Sequence, residues 1–356
     1  MGAVRVRGTV APHRGRFLMP VGYWWTVALI SWGVMCALTR WRRLGSFSAI
    51  PALLVSELPF IVGYWLVAST VFALVDGDLG SPGGAAGAAV ALLALAGLVV
   101  VVRRAMRAHA ALRDAGRPRR PWGRILRAPF FPGRRDVTRV RGLAYGDGPR
   151  RTLDVYHRRD QPAGAPILLH FHGGAFYSGN KAREARPLIR YLTSRRGFVC
   201  VSANYRLQPH VTLADQVADA RRAIAWVRAH AVEYGAEPGT LFLAGSSAGV
   251  NLAIRAVCEG ETGIAGLICR YGYYGDLAPR GDMPPMLVVH GEKDMMVPAA
   301  DVRAFVERVR AVSSRPVIYA ELPGAYHDFD MFESIRSAAV SKAVEQFTAK
   351  VSTSAT

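Results

Sequence analysis

The stretch Leu241-Phe242-Leu243-Ala244-Gly245-Ser246-Ser247-Ala248-Gly249-Val250 joins an apolar, β-rich run to the start of a helical pattern through a Gly-x-Ser-x-Gly pentapeptide. Small residues flanking the central serine permit a sharp strand-to-helix turn, which lifts the Ser247 hydroxyl above the end of a sheet. The helix that follows would place its N-terminal N–H groups and positive dipole end beside that hydroxyl. Ser247 is therefore the candidate nucleophile, and Ser246, facing the turn, is expected to be structural. Gly-Ser turns are common, so this reading needs partners elsewhere in the chain.

Working outward, further apolar runs lie at Ile167–Phe171, Phe198–Ser202, Ala265–Cys269, Met286–His290 and Val317–Ala320. Short runs bounded by Gly and polar residues suit strands buried on both faces. Between them, Leu213, Val217, Ala220, Ile224 and Val227 share one helical face, and Val302, Phe305, Val306 and Val309 another. Alternation of this kind predicts a mostly parallel sheet covered by helices over residues 136–352, opened by a hairpin of Arg139–Tyr145 and Thr152–His157.

A serine needs a base to take its proton, and the base needs an acid to orient it. The run Met286–His290 leads into Gly291-Glu292-Lys293-Asp294, and the next leads into Leu322-Pro323-Gly324-Ala325-Tyr326-His327. The order Ser247, Asp294, His327, each at or after a strand end, is the one an α/β-hydrolase triad requires. Glu292 competes with Asp294 for the acid role, whereas Asp328 and Asp330 lie too near His327 along the chain. Upstream, His172-Gly173-Gly174-Ala175-Phe176 follows a strand. Such glycines let the backbone approach a substrate carbonyl and offer N–H donors to a developing oxyanion, although a Gly-rich strand end also serves as a plain turn.

Together with Asn204-Tyr205-Arg206-Leu207, these motifs resemble the hormone-sensitive-lipase-like branch of α/β-hydrolase carboxylesterases, and membrane-anchored actinobacterial esterases in particular. The resemblance covers about residues 137–351. It implies Ser247 as nucleophile, His327 as base, Asp294 as acid, and Gly173, Gly174 and Ala248 as oxyanion donors, with no cofactor and no metal. Three departures stand out. Ala175 replaces the third glycine, a serine precedes the nucleophile where an aspartate is frequent, and 47 residues separate Ser247 from Asp294. Segment 276–285 is too short for the family's cap, so the site is expected to be open, roofed by residues 103–135 or by a membrane surface.

The first third of the chain explains an otherwise odd composition. The chain of 356 residues has a formal charge of +19 and yet a mean hydropathy of +0.15. Residues 1–135 hold 18 Arg against four acids, a net +14, whereas residues 136–356 carry only +5. The same third contains the apolar runs 21–39, 49–75 and 84–102. A helix needs roughly 20 apolar residues to cross a hydrocarbon core about 30 Å thick, so about three transmembrane helices are expected after a basic segment 1–20. A cleaved signal peptide is disfavoured by the length of the first run and the lack of a small-residue cleavage site. The second run is interrupted by Glu57 and Pro59: Leu58–Val75 alone is long enough to span, with Phe47–Glu57 in the interface. Glu57 is expected at the headgroup boundary, the alternative being a pair with an Arg of a neighbouring element.

Arg40, Arg42 and Arg43 follow the first run, and seven Arg follow the third up to Arg120, while the loop Asp76–Gly83 has none. The positive-inside rule then puts the catalytic domain in the cytoplasm, despite four Arg in the leader. The basic connector 103–135 is expected to meet anionic lipid headgroups. Without an aromatic-basic stacking pattern, nucleic acid is not an expected partner. Four cysteines exclude a disulfide framework, and Cys200, Cys258 and Cys269 read as buried thiols. The expected activity is hydrolysis of carboxylic esters, lipid-like ones included, at a multi-pass cell-membrane protein of undetermined oligomeric state. The alternatives are an amidase, arylformamidase, deacetylase or peptidase-like hydrolase, and a non-catalytic membrane scaffold.

Overall fold

A computed structural model describes residues 21–112, 121–127, 129–130, 133–161 and 163–353. The basic segment 1–20 and Arg113, Arg117, Arg119 and Arg120 of the connector lie outside the described residues. Among the described residues, eight strands form one sheet: β1 (Val137–Ala144), β2 (Thr152–Arg158), β3 (Ala165–Phe171), β4 (Val199–Ala203), β5 (Ala236–Ser246), β6 (Ile264–Arg270), β7 (Met286–Gly291) and β8 (Val317–Leu322). Their order is β1-β2-β4-β3-β5-β6-β7-β8. Only β2 runs antiparallel to its neighbours, and all other pairings are parallel. In parallel strands covered on both faces nearly every side chain is buried, and Leu241 to Ser246 are all buried.

Among the described residues, ten α-helices accompany the sheet: α1 (Val21–Leu38), α2 (Ser46–Glu57), α3 (Pro59–Val75), α4 (Pro82–Ala111), α5 (Trp122–Arg127), α6 (Arg186–Arg196), α7 (Leu213–His230), α8 (Ala248–Cys258), α9 (Ala299–Val312) and α10 (Ile335–Thr353). The faces predicted for α7 and α9 turn inward: Val217, Ala220, Ile224 and Val227, like Val302, Phe305, Val306 and Val309, are at most 2% exposed. With α8 they build the core on one side of the sheet. Helices α6 and α10 build the other, joined there by Ala108 and Leu112.

Those two residues mark a difference from the sequence reading. Residues 103–111 were expected to begin a connector, yet α4 runs unbroken for 30 residues from its apolar stretch into the hydrolase core. Nothing in 103–111 stops a helix, because Arg, Ala, Met and His all sustain one and the first Gly comes at 116. The other apolar helices pack on α4, and at Gly97 a Cβ would press into the Val34 side chain. Small residues of this kind let apolar helices approach closely.

The second apolar run is broken. Helices α2 and α3 meet at an angle of 91°. Pro59 has no N–H for the Val55 carbonyl and cannot continue the helix; it starts α3 instead, with Leu58 at φ −121°, ψ 39° between the two. Glu57, at the break, is buried and bonded to Arg336 Nη1 of α10 at 2.9 Å and to the Ser334 hydroxyl at 2.6 Å. The acid expected at a headgroup boundary is thus an ion-pair partner of the catalytic domain, and Arg336 also bonds the Ser56 carbonyl.

Candidate active site

The elbow forms as the pentapeptide predicts. Strand β5 ends at Ser246, α8 begins at Ala248, and Ser247 between them has φ 50°, ψ −118°. A non-glycine residue in such a conformation costs about 1–3 kcal/mol and persists only where its surroundings fix it. Here the Ser247 N–H donates to the Arg270 carbonyl at 3.1 Å, and the Ser247 carbonyl accepts from the N–H of Tyr273 and Val250. At Gly249 a Cβ would overlap the Phe171 carbonyl, so α8 can start this close to β3 only with glycine there. Ser247 is 7% exposed, and among the described residues its hydroxyl makes no hydrogen bond.

Asp294 and His327 come together on the loops after β7 and β8. Asp294 Oδ2 lies 2.6 Å from His327 Nδ1, while Oδ1 accepts the N–H groups of Met296 at 2.8 Å and Val297 at 2.9 Å. Burial pushes the Asp294 carboxyl up, but the His327 bond and the other partners outweigh it and hold it below the usual carboxylate range. For His327 burial acts downward, and the Asp294 bond and charge, helped by Asp328 and Glu184, overcome it and raise the imidazole above 6.5. With Nδ1–H donated to Asp294, Nε2 carries the lone pair. The competing acid Glu292 is engaged elsewhere, accepting the Gly324 N–H at 2.7 Å.

The oxyanion donors need a correction. The Gly173 N–H, expected to face the substrate, donates to Glu184 Oε2 at 2.6 Å, and an amide N–H has one hydrogen to give. Gly173 instead brings the chain against the elbow serine, since a Cβ on it would meet Ser247 Cβ at 3.0 Å. The N–H groups of Gly174, Ala175 and Ala248 have no acceptor among the described residues, and Ala248 adds the N-terminal end of α8. That leaves the N–H groups of Gly174, Ala175 and Ala248, rather than that of Gly173, open to an acceptor beside Ser247. Tyr205 steadies this turn: its ring stacks on His172 at 4.4 Å and its hydroxyl donates to the His172 carbonyl at 2.8 Å. Arg206 beside it is bonded to Asp219.

Several contributors were not singled out in the sequence. Arg270, fully buried at the end of β6, donates to Ser246 Oγ at 2.9 Å and pairs with Asp330. Tyr271 donates to Asp330 Oδ1 at 2.7 Å and sets its ring edge-on to His327, centroids 4.8 Å apart. His170 Nε2 lies 3.1 Å from the same Ser246 Oγ. A network thus runs beside Ser247 from β3 to the loop after β8. Its one visible signal was an arginine closing an otherwise apolar strand. Tyr177, Tyr273 and Met296 stand exposed, and residues 271–285, between β6 and β7, form no helix or strand.

Sheet order, elbow and loop placement define the class: residues 137–353 have the α/β-hydrolase fold. A family model designated BD-FAE matches residues 153–268, from β2 into β6. The chain is similar to a probable carboxylic ester hydrolase of Mycobacterium tuberculosis, LipM, with 34% identity over 269 residues, 61% of this chain and 62% of that protein. It is likewise similar to the esterase LipQ of the same organism, with 32% identity over 277 residues, 63% of this chain and 65% of the relative. The chain therefore spans slightly less than two thirds of these relatives. Among solved structures, a propionate-bound esterase from Thermogutta terrifontis shares the fold, with a TM-score of 0.51, 24% identity, and 61% of this chain and 95% of the other covered.

The raised His327 sets a pH dependence. The base must be neutral to accept a proton, so kcat/KM for an ester is expected to fall on acidification with a midpoint above that of an ordinary histidine. A kcat/KM profile between pH 5 and 9 measures this, and a midpoint below that of an ordinary histidine would contradict the pairing described here.

Proposed function

We propose that the chain is a membrane-anchored serine carboxylesterase that cleaves esters through an acyl-enzyme. The observation that carries this reading is the 2.6 Å Asp294–His327 bond beside an elbow serine whose neighbouring N–H groups lack acceptors. In the reaction, His327 Nε2 takes the Ser247 proton as Oγ attacks the ester carbonyl. The N–H groups of Gly174, Ala175 and Ala248 hold the oxyanion, and the alcohol departs with the proton from His327. Water, deprotonated by the same imidazole, then attacks the acyl carbonyl, releasing the acid and restoring Ser247. Asp294 keeps the imidazole in its tautomer and stabilises it while charged. The similarity to LipM and LipQ supports ester rather than amide substrates.

The anchor comprises α1, α3 and α4, with α2 lying in the interface. Helices α1 and α4 are long and apolar enough to cross a membrane, as is the bent pair α2–α3. Phe47, Ile50 and Leu54, spaced along one side of α2, are exposed as an interfacial helix requires. The arginines after α1 and along the end of α4 support a catalytic domain on the cytoplasmic side. With no helix or strand over the site between β6 and β7, and the acid loop beside the anchor, lipid-like esters reach Ser247 from the membrane surface. The detergent-solubilised full chain, assayed on p-nitrophenyl esters from acetate to palmitate with Ser247→Ala as blank, is expected to hydrolyse them. No turnover above the blank at any length would refute the proposal.

A further inference from the structure

The end of α1 is built into the loops that carry the acid and the base. A helix leaves its last four carbonyls without intrahelical donors, and α1 has no basic residue in its last turn to bond them. The catalytic domain supplies the donors. Lys293 Nζ donates to the carbonyls of Ala37 at 3.0 Å and Leu38 at 2.6 Å. The Tyr326 hydroxyl lies 2.6 Å from the Cys36 carbonyl and 2.8 Å from that of Thr39, donating to one or the other. Lys293 immediately precedes Asp294, and Tyr326 immediately precedes His327. The contact is reciprocated, because Arg40, two residues beyond α1, donates from Nη2 to the Asp294 carbonyl at 2.6 Å. The two loops are also tied to each other, Lys293 N–H to the Ala325 carbonyl at 2.8 Å. Cys36, Ala52 and Tyr326 close into a small buried cluster with Trp32 and Met295 against it.

We propose that the C-terminal turn of α1 is a positioning element of the catalytic centre, holding the Asp294 and His327 loops in register through Lys293, Tyr326 and Arg40. The inference rests on the esterase reading of the site. None of the three residues touches the reacting atoms; each acts on the backbone beside a residue that does. Acid and base come from separate loops, so their contact depends on how those loops are held, and a misplacement of about 1 Å can cost about 100-fold in rate. A hydrolase domain that borrows this support from an apolar helix is complete only with its anchor.

The test uses the full chain in detergent and p-nitrophenyl butyrate, which is soluble and needs no membrane to deliver it. Tyr326→Phe deletes one hydroxyl; Arg40→Gln acts from the anchor side and decides the matter if Tyr326→Phe does not fold. Each variant is expected to lose about 10- to 100-fold in kcat with KM within about threefold, while melting cooperatively. The acid limb of the pH profile should move as the Asp294–His327 bond loosens, and Arg40→Lys should recover most of the loss. A support of stability alone would lower the melting temperature and leave kcat and the pH profile unchanged. Values of kcat within twofold of an active wild type in both variants overturn the proposal and leave the esterase reading intact. A wild type no faster than Ser247→Ala overturns both.

Discussion

Replacing Ser247 with alanine is expected to lower kcat for p-nitrophenyl butyrate by about 10⁶-fold, leaving the residual rate that oriented donors and binding supply without a nucleophile. The size follows from the site. No other hydroxyl occupies the elbow, because Ser246 is turned into the network beneath it, held by Arg270 and near His170. The fold should be indifferent to the change. The Ser247 hydroxyl makes no hydrogen bond among the described residues, and its backbone is held by the Arg270 carbonyl and the Tyr273 N–H, which alanine keeps. A cooperative thermal melt like that of the wild type, beside lost turnover, checks both halves.

The second large effect is expected from Asp294→Asn, about 10⁴-fold in kcat. The side chain keeps its shape, and an oxygen can still accept from Met296 and Val297 N–H. The remaining atom facing His327 Nδ1 becomes an NH₂ donor, and two donors cannot share that 2.6 Å contact. The imidazole then changes tautomer, putting its proton on Nε2, where it can no longer accept one from Ser247. The same substitution removes the charge that lifts His327, so the acid limb should move to lower pH. Glu292→Gln provides the contrast. Its carboxylate accepts the Gly324 N–H, which an amide oxygen also does, so the expected loss is under tenfold. Paired kcat and pH profiles of the two variants distinguish them, and a larger loss at Glu292 would reverse the assignment of the acid.

The legible parts of this protein are those written locally. Strands β3, β4, β6, β7 and the second half of β5 stand out as apolar runs because they are buried on both faces, and the elbow is legible because sharp turning and close packing demand small residues at Gly245 and Gly249. Chain order then gave Asp294 and His327 their candidate roles. Periodicity carries no information on hydrogen bonds between distant segments, and the differences arose there. The Gly173 N–H belongs to Glu184, eleven residues on. Glu57 belongs to Arg336, 279 residues away, and Arg270 to Asp330. The break at Pro59 was one of two readings of the second apolar run. The continuation of α4 past Val102 was hidden because a rise in charge looked like a domain boundary, although a helix can carry arginines out of an apolar layer without stopping.

Ser247 is the proposed nucleophile, and labelling the folded full chain with a fluorophosphonate, followed by peptide mass spectrometry, tests that assignment. One adduct per chain is expected, on Ser247, and it should disappear in Ser247→Ala and on heat denaturation before labelling. An adduct on another residue, or an active esterase that Ser247→Ala leaves active, would contradict the assignment.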